Sequence, residues 1–329
     1  MISHRGWHWV AAIAVFAMVG VAAVAVGAVP IPVMDVMRAV AGNGDSSVVA
    51  IVRNLRLPRV ALSALIGAGL GMSGGALQGT LRNGLAEPYL LGVSGGAAVG
   101  AVIAFSVGVS EAGWIALSAF AGAAAAVVLA LLVARAAGRG GRGDPRTLLM
   151  AGVVIGAFAN AVIMISLANA PPNTIRGALW WMMGSAGDAT WPAVAVLALS
   201  VVAGGAALVY RARDIDVLAL GEEPAAALGV DVDRAARAIY LLSALLAAAT
   251  VAAAGLVGFV GLIVPHLVRS AGVRRHRPLL LGTALIGATL VVAADLAART
   301  LRPPAELPLG AVTALLGVPF FLAQLRKTA

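Results

Sequence analysis

Long apolar segments alternate with short polar connections along almost the whole chain. Ten of them are long enough to cross a hydrocarbon core of about 30 Å, or nearly so. They lie at about 8–29, 58–81, 91–109, 114–134, 147–168, 192–210, 235–254, 256–270, 278–298 and 308–325. The seventh and eighth form one apolar stretch that is too long for a single span, so a break is expected near Gly255. The pattern predicts an all-α integral membrane protein with about ten transmembrane helices.

The connections between these segments are too short to hold a soluble domain. Residues 1–329 are therefore expected to form a single transmembrane domain. The apolar run from Trp7 to Val29, which follows Arg5, is long for a signal peptide and is interpreted as a retained first helix. Most of the 23 lysine and arginine residues fall on the side that bears both termini. By the positive-inside rule this side, called the inner side below, is cytoplasmic.

The amino-acid composition excludes several classes of protein and of reaction. Hydrophobic residues make up 61% of the chain and charged residues 11%, with a mean hydropathy of +0.99; soluble domains carry about 25% charged residues. The absence of cysteine excludes disulfides, thiolate catalysis and cysteine-bound metals. Lys327 is the only lysine, which excludes a Walker A motif and a Schiff-base lysine within the helices. The net charge of +9 is spread in short clusters, unlike a nucleic-acid-binding patch.

The second predicted helix carries a glycine at every fourth position, at Gly67, Gly71, Gly75 and Gly79. Residues spaced by four share one face of an α-helix. Inside a membrane, small residues on one face let a second backbone approach closely. This face is therefore predicted to pack against another helix.

The inner connection at about 211–237 has the pattern of a short helix. Glu222, Glu223 and Pro224 are typical of a first helical turn, and Gly229 is typical of a helix end. A short, partly apolar helix outside the bilayer needs a surface to cover it. An anionic lipid leaflet is one candidate, but the local carboxylates disfavour it. A protein partner is the preferred interpretation.

Several segments carry a resemblance to a known family. They are Arg56-Leu-Pro-Arg59, Gln78-Gly-Thr-Leu-Arg-Asn-Gly-Leu-Ala-Glu-Pro88 with Leu91-Gly-Val-Ser-Gly95, Leu218-Ala-Leu-Gly-Glu-Glu-Pro-Ala-Ala-Ala-Leu-Gly-Val230, Gly258-Phe-Val-Gly-Leu-Ile-Val-Pro-His-Leu-Val-Arg269, and Glu306-Leu-Pro-Leu-Gly-Ala-Val-Thr-Ala-Leu-Leu-Gly-Val-Pro319. In this order they resemble permease subunits of type II ABC importers, the FecCD family of iron-siderophore, haem and vitamin B12 permeases.

The resemblance implies a homodimer in a bacterial inner membrane, with two cytoplasmic ATPase subunits and a periplasmic or lipid-anchored substrate-binding protein. ATP and Mg would bind the ATPase subunits, so no catalytic residue, metal or cofactor is expected on this chain. Coupling to the ATPase is expected at Leu218, Ala219, Leu220, Gly221, Glu222, Glu223, Ala227, Leu228, Gly229 and Val230.

The resemblance also implies roles at the two ends of the second helix. Docking of the binding protein is expected at Arg56, Arg59, Arg299 and Arg302, although Arg56 and Arg59 are also typical of ordinary membrane-edge anchoring. A cytoplasmic gate is expected at Asn83 and Leu85. Family members commonly have Asn-Pro where this chain has Asn83-Gly84, so the turn is expected to be more flexible here.

The substrate is left open among ferric siderophore, haem and cobalamin. Iron chelates form the largest share of the family and are favoured on that ground. Tyr89 and the segment Trp181-Met-Met-Gly184 are similar to cobalamin permeases, which keeps that substrate close.

Other polar residues are interpreted as structural. Asp295 and Arg299 are spaced for a helical ion pair. His266 follows a proline and is expected to pack rather than to bind haem. Gln78 and Asn160 are expected to form hydrogen bonds between helices.

Two other classes of function fit the sequence less well. An ion-coupled secondary transporter is expected to carry several ionisable residues in the middle of its helices, and Asp295 is nearly the only candidate. An intramembrane enzyme would need a motif such as His-Glu-x-x-His, which the sequence lacks. The chain is therefore predicted not to be an enzyme.

Overall fold

The computed structural model describes the backbone of residues 4–137 and 145–328, and the side chains of 7–136 and 147–321; all regular elements within these ranges are helical. The helices are α1 (His4–Ala25), α2 (Val33–Val40), α3 (Ser46–Ala50), α4 (Leu57–Thr80), α5 (Val93–Ser106), α6 (Ala112–Ala137), α7 (Pro145–Ala168), α8 (Pro172–Met182), α9 (Trp191–Tyr210), α10 (Ala212–Leu218), α11 (Glu222–Ala227), α12 (Val232–Ala254), α13 (Val260–Ser270), α14 (His276–Thr300) and α15 (Leu309–Thr328). A π-helical turn, Ile51–Arg56, joins α3 to α4, and a 3-10 turn, Pro88–Leu91, precedes α5.

The predicted spans are confirmed. In the described residues, seven helical segments are long and apolar enough to cross a membrane: α1, the continuous run Ser46–Thr80, α6, α7, α9, α12 and α14. Three shorter apolar helical segments, Val93–Ser106, Val260–Ser270 and Leu309–Phe321, complete the set. Each matches one of the ten apolar segments of the sequence to within a few residues, with one exception. The continuous run Ser46–Thr80 begins well before the predicted segment 58–81.

Burial separates central from peripheral helices. In the most apolar stretch of each segment, 72% of residues are buried for Ser46–Thr80 and 67% for α12, against 17% for α1 and 28% for α9. The outward faces of the peripheral helices carry large exposed apolar side chains such as Ile165 and Leu199. Helix α4 therefore lies at the centre, and the outer helices face lipid or partner subunits.

Helix α14 runs along the glycine face of α4. A Cβ built on Gly67 would lie 2.0 Å from the carbonyl oxygen of Gly287, and one on Gly71 would lie 2.4 Å from that of Thr283. From Gly67 to Gly79, the residues of α14 that lie nearest to the four glycines are, in turn, Gly287, Thr283, Leu279 and His276. Glycine therefore allows the backbones of α4 and α14 to touch at Gly67 and Gly71, and lets side chains of α14 fill the space beside Gly75 and Gly79.

The break between α12 and α13 is where the sequence predicts it. Helix α12 ends at Ala254, and Gly255 has φ +72°, with the Trp181 carbonyl oxygen 2.1 Å from the position of a Cβ. Glu87 accepts a 2.8 Å hydrogen bond from the N–H of Phe259, and the Tyr89 hydroxyl donates to the carbonyl of Val257. These side chains provide partners for backbone groups that the break leaves outside any helix.

Candidate functional site

Helices α10 and α11 and the residues that follow them, 212–230, form what we call the coupling segment, after the role expected for it from the sequence. Gly221, with φ +122°, separates the two helices, and α11 begins at Glu222 as predicted. Gly229, with φ +81°, follows the end of α11, which is the predicted stop. These dihedral angles lie in a region that glycine adopts without strain.

One face of the coupling segment is buried against the rest of the protein, and the other face is exposed. Leu218 and Ala225 are buried against the bundle, whereas Leu220 and Leu228 are each 63% exposed. Two large apolar side chains thus stand on a polar surface that carries Glu222 and Glu223. This arrangement suits a protein partner with an apolar pocket.

The inner end of α4 leads into a tight turn, Arg82 to Leu85, which we call the inner turn. Arg82 has φ +51°, and the side chain of Asn83 accepts a 2.9 Å hydrogen bond from the N–H of Leu85. Leu85 is 51% exposed. A Cβ built on Gly84 would meet nothing within 4 Å. The gate role and the flexibility expected for Asn83-Gly84 stay predictions.

Gln78 connects α4 to α13 through hydrogen bonds, as an interhelical role requires. Its amide nitrogen lies 3.2 Å from the carbonyl oxygens of Gly261 and Leu262, and its amide oxygen accepts from Arg269 at 2.5 Å. Asn160 instead lies exposed on α7.

His266 packs its ring edge against Phe320, with ring centroids 6.0 Å apart. This aromatic contact between α13 and α15 fits the packing role expected from the sequence.

At the outer end of α4, Arg59 binds two carboxylates, and we call these three residues the outer cluster. Its guanidinium donates to Asp295 at 2.9 and 3.0 Å and to both carboxylate oxygens of Glu306 at 2.8 and 2.9 Å. Asp295 is 2% exposed, whereas the side chain of Glu306 is 41% exposed. The hydrogen bonds from Arg59 hold the pKa of Glu306 below its usual value.

The outer cluster adds a partner for Asp295 that the sequence did not suggest. The predicted helical ion pair of Asp295 with Arg299, four residues on, is confirmed at 3.7 Å, but Arg59 lies closer, at 2.9 Å. Helical spacing identified a neighbour of Asp295. It missed the closer partner, which is 236 residues away in the sequence.

Two of the arginines predicted for docking cap the C-terminus of α1. Arg56, only 7% exposed, donates to the carbonyls of Val24 and Ala25 at 2.7 and 2.9 Å. Arg299 donates to the carbonyl of Ala23. Cations are favourable at a helix C-terminus, where the last carbonyls lack partners. Of the four arginines, Arg302 lies exposed on the outer surface.

Two cavities flank α8. One, of about 360 Å³, brings together Tyr89, Met182 and Met183, which the sequence singled out, with Phe259 and Gly310. The other, of about 970 Å³, is lined by apolar residues that include Trp180 and Trp181. The chain thus gathers its Tyr89 and Met-Met segments, far apart in sequence, at one wall.

Comparison with known proteins gives one consistent answer. Residues 13–327 match the model of the FecCD transport family. A cobalamin import permease of Halobacterium salinarum is 43% identical over 84% of this chain and 73% of its own length. A hemin transport permease of Yersinia pestis is 40% identical over 82% of this chain and 81% of its own. A solved metal-chelate type ABC transporter in an inward-facing conformation has a TM-score of 0.85 at 27% identity, covering 96% of this chain and 98% of that one.

Proposed function

The chain belongs to the FecCD transport family, and we propose that two copies form the pathway through which an importer moves a bulky metal chelate. As a member of this family the chain is an ABC transporter permease, a membrane-spanning subunit that works with ATPase and substrate-binding partners. In the proposed assembly the ATPase subunits bind and hydrolyse ATP with Mg²⁺. Both termini face the cytoplasm, and the outer cluster faces the binding protein.

The exposed leucines of the coupling segment are the observation that carries this proposal. Leu220 and Leu228 offer an apolar contact on the inner side, flanked by carboxylates that disfavour an anionic lipid surface. ATP binding and hydrolysis in the partner would displace this segment and switch the pathway between outward and inward openings. The switch needs only two states with different contacts at the segment.

An ATPase interaction test decides the role of the coupling segment. A neighbouring gene is expected to encode an ATPase with a P-loop, and the purified chain should co-elute with that ATPase. Leu220→Asp combined with Leu228→Asp places two charges where apolar contact is expected, and should abolish stimulated ATP hydrolysis. Leu301→Asp changes a leucine that is 69% exposed at the outer side and should leave co-elution intact. Normal stimulation in the double variant would contradict the assignment.

The substrate proposed is a metal chelate too large and polar to cross unaided: cobalamin, haem or a ferric siderophore. Its relatives, a cobalamin import permease and a hemin transport permease, favour the macrocyclic chelates. The cavity wall of Tyr89, Met182 and Met183 supports this, because thioether and aromatic side chains adapt to irregular apolar surfaces. Uptake of each labelled chelate by proteoliposomes of the full complex, with its own binding protein, distinguishes the three.

An ion-coupled mechanism gains no support from these observations. Asp295, the one candidate for it in the sequence, is held by Arg59 near the outer end of α14. Its charge is therefore already compensated within the chain.

A further inference from the structure

A carboxylate from the coupling segment caps the N-terminus of α14. Oδ1 of Asp216, on α10, lies 2.7 Å from Nδ1 of His276, the first residue of α14, and accepts a 2.9 Å hydrogen bond from the N–H of the same residue. Arg275, at the N-cap position, makes no side-chain cap. Negative charge is favourable at a helix N-terminus. Asp216 therefore fixes the start of α14 relative to α10.

Gly79 of α4 completes this contact. A Cβ built there would lie 2.2 Å from Nε2 of His276 and 2.6 Å from Cγ2 of Ile215. The ring of His276 from α14 and a methyl group of Ile215 from α10 thus occupy the space that a side chain at position 79 would need. Ile215 is fully buried. Such close packing leaves no free volume to absorb a shift, so a movement of α10 must displace its neighbours.

The inner turn is tied to the same part of α4. The N–H of Arg82 donates to the carbonyl of Gly79 at 3.3 Å, and the N–H of Asn83 donates to that of Gln78 at 3.2 Å. Arg82 also lies beside the coupling segment, with Nη1 3.5 Å from the position of a Cβ on Gly221. The turn therefore starts where α4, α10 and α14 meet.

We propose that the junction of Gly79, Ile215, Asp216 and His276 transmits the displacement of the coupling segment to the inner turn. This rests on the proposed function, since the segment moves only if an ATPase partner moves it. Asp216 and His276 are positioning residues, which keep α10 and α14 in register so that a shift of α10 reaches α4. Without them the ATPase would still hydrolyse ATP, but its motion would no longer reach the inner turn.

The test separates transport from hydrolysis in proteoliposomes that contain the full complex. Asp216→Ala, which removes the carboxylate that contacts His276 at its N–H and at its ring, and His276→Ala should each lower transport per ATP hydrolysed about tenfold, while hydrolysis itself changes less than about twofold. Co-elution with the ATPase should be unchanged. A contact that serves stability alone would lower transport and hydrolysis in equal proportion, and that result would overturn the proposal.

A label on the inner turn reports the motion directly. The chain has no cysteine, so Leu85→Cys introduces a single labelling site at an exposed position. Its maleimide labelling rate should differ between nucleotide-free and vanadate-trapped complex. Adding Asp216→Ala should remove that difference. No nucleotide response in the Leu85→Cys parent, or a full response after Asp216→Ala, would each contradict the proposal.

Matched variants exclude trivial explanations. Asp214→Ala removes a carboxylate from the same helix, but one that pairs locally with Arg211 at 3.1 Å, and should leave transport per ATP unchanged. His276→Asn keeps an N–H donor on a short side chain and should recover much of the loss seen with His276→Ala. If Asp216→Ala does not assemble, the two His276 variants decide: equal transport per ATP in both overturns the proposal. Failure of the proposed function is distinguishable, because it appears as normal hydrolysis in the Leu220→Asp, Leu228→Asp variant.

Discussion

The two ends of α4 are joined to α14 by different chemistry. At the outer end Arg59 makes bidentate bonds to a buried carboxylate, Asp295. At the inner end Gly79 receives the ring of His276, which is held in turn by Asp216. Separating buried charges is costly, so the outer contact holds α4 and α14 together. The inner contact also includes Ile215 of α10, and its close packing makes α4, α10 and α14 shift together. The comparison shows that α4 is tied to one neighbour at its outer end and to the coupling segment as well at its inner end.

Removing one charge of the outer cluster should have the largest effect. Arg59→Ala leaves Asp295, which is 2% exposed, with only the more distant Arg299 as a cation. We expect a loss of about 3–5 kcal/mol in the free energy of unfolding, because a buried charge loses the partner that binds it most closely. Thermal unfolding of the purified chain in detergent measures it. Arg59→Met with Asp295→Leu removes both charges and should recover most of the loss; equal instability of the two variants would contradict an electrostatic cause.

A substitution in the middle of α4 should have an intermediate effect. In Gly67→Ala the new methyl group would lie 2.0 Å from the Gly287 carbonyl oxygen, so α4 and α14 must move apart. Overpacking of this kind costs about 1–3 kcal/mol. Gly20→Ala is the matched control, because a Cβ at that position meets nothing within 4 Å. If both variants unfold at the same temperature, the glycine face is not what holds the two helices together.

Loss of the exposed Arg59–Glu306 pair of the outer cluster should have the smallest effect on stability. Because Arg59 lowers the pKa of Glu306, the stability of this pair is fully present above the usual glutamate pKa of 4.5 and is lost as the pH falls through the lowered value. For a pair with a 41% exposed carboxylate the contribution is about 0–1 kcal/mol. Unfolding temperatures between pH 7 and pH 3 should show a smaller acid-dependent drop in Glu306→Gln than in the parent chain.

Local sequence patterns predict the local structure of this molecule well. Apolar run length is a direct physical requirement of the bilayer, so the ten segments and the break at Gly255 could be read from it. The bounds of α11 follow from residues with strong terminal preferences, Glu222 and Gly229.

The contacts between distant residues could not be predicted in this way. Asp295 has a cation at helical spacing, Arg299, and sequence reasoning paired them; the shorter bond goes to Arg59 on another helix. The sequence places Arg56 on the outer side, but it does not show that Arg56 is buried, because that burial depends on where α1 ends. Asp216 and His276 are unremarkable in sequence, because their contact depends on how α10 and α14 cross.

The capping of α1 has a consequence for the order of events during synthesis. Helix α1 leaves the ribosome long before α14, yet the carbonyl of Ala23 receives its hydrogen bond from Arg299, 276 residues later. Arg56, which bonds to Val24 and Ala25, arrives much sooner. During insertion α1 is therefore retained first by its near neighbour on the chain. Its final attachment waits until α14 has entered the membrane.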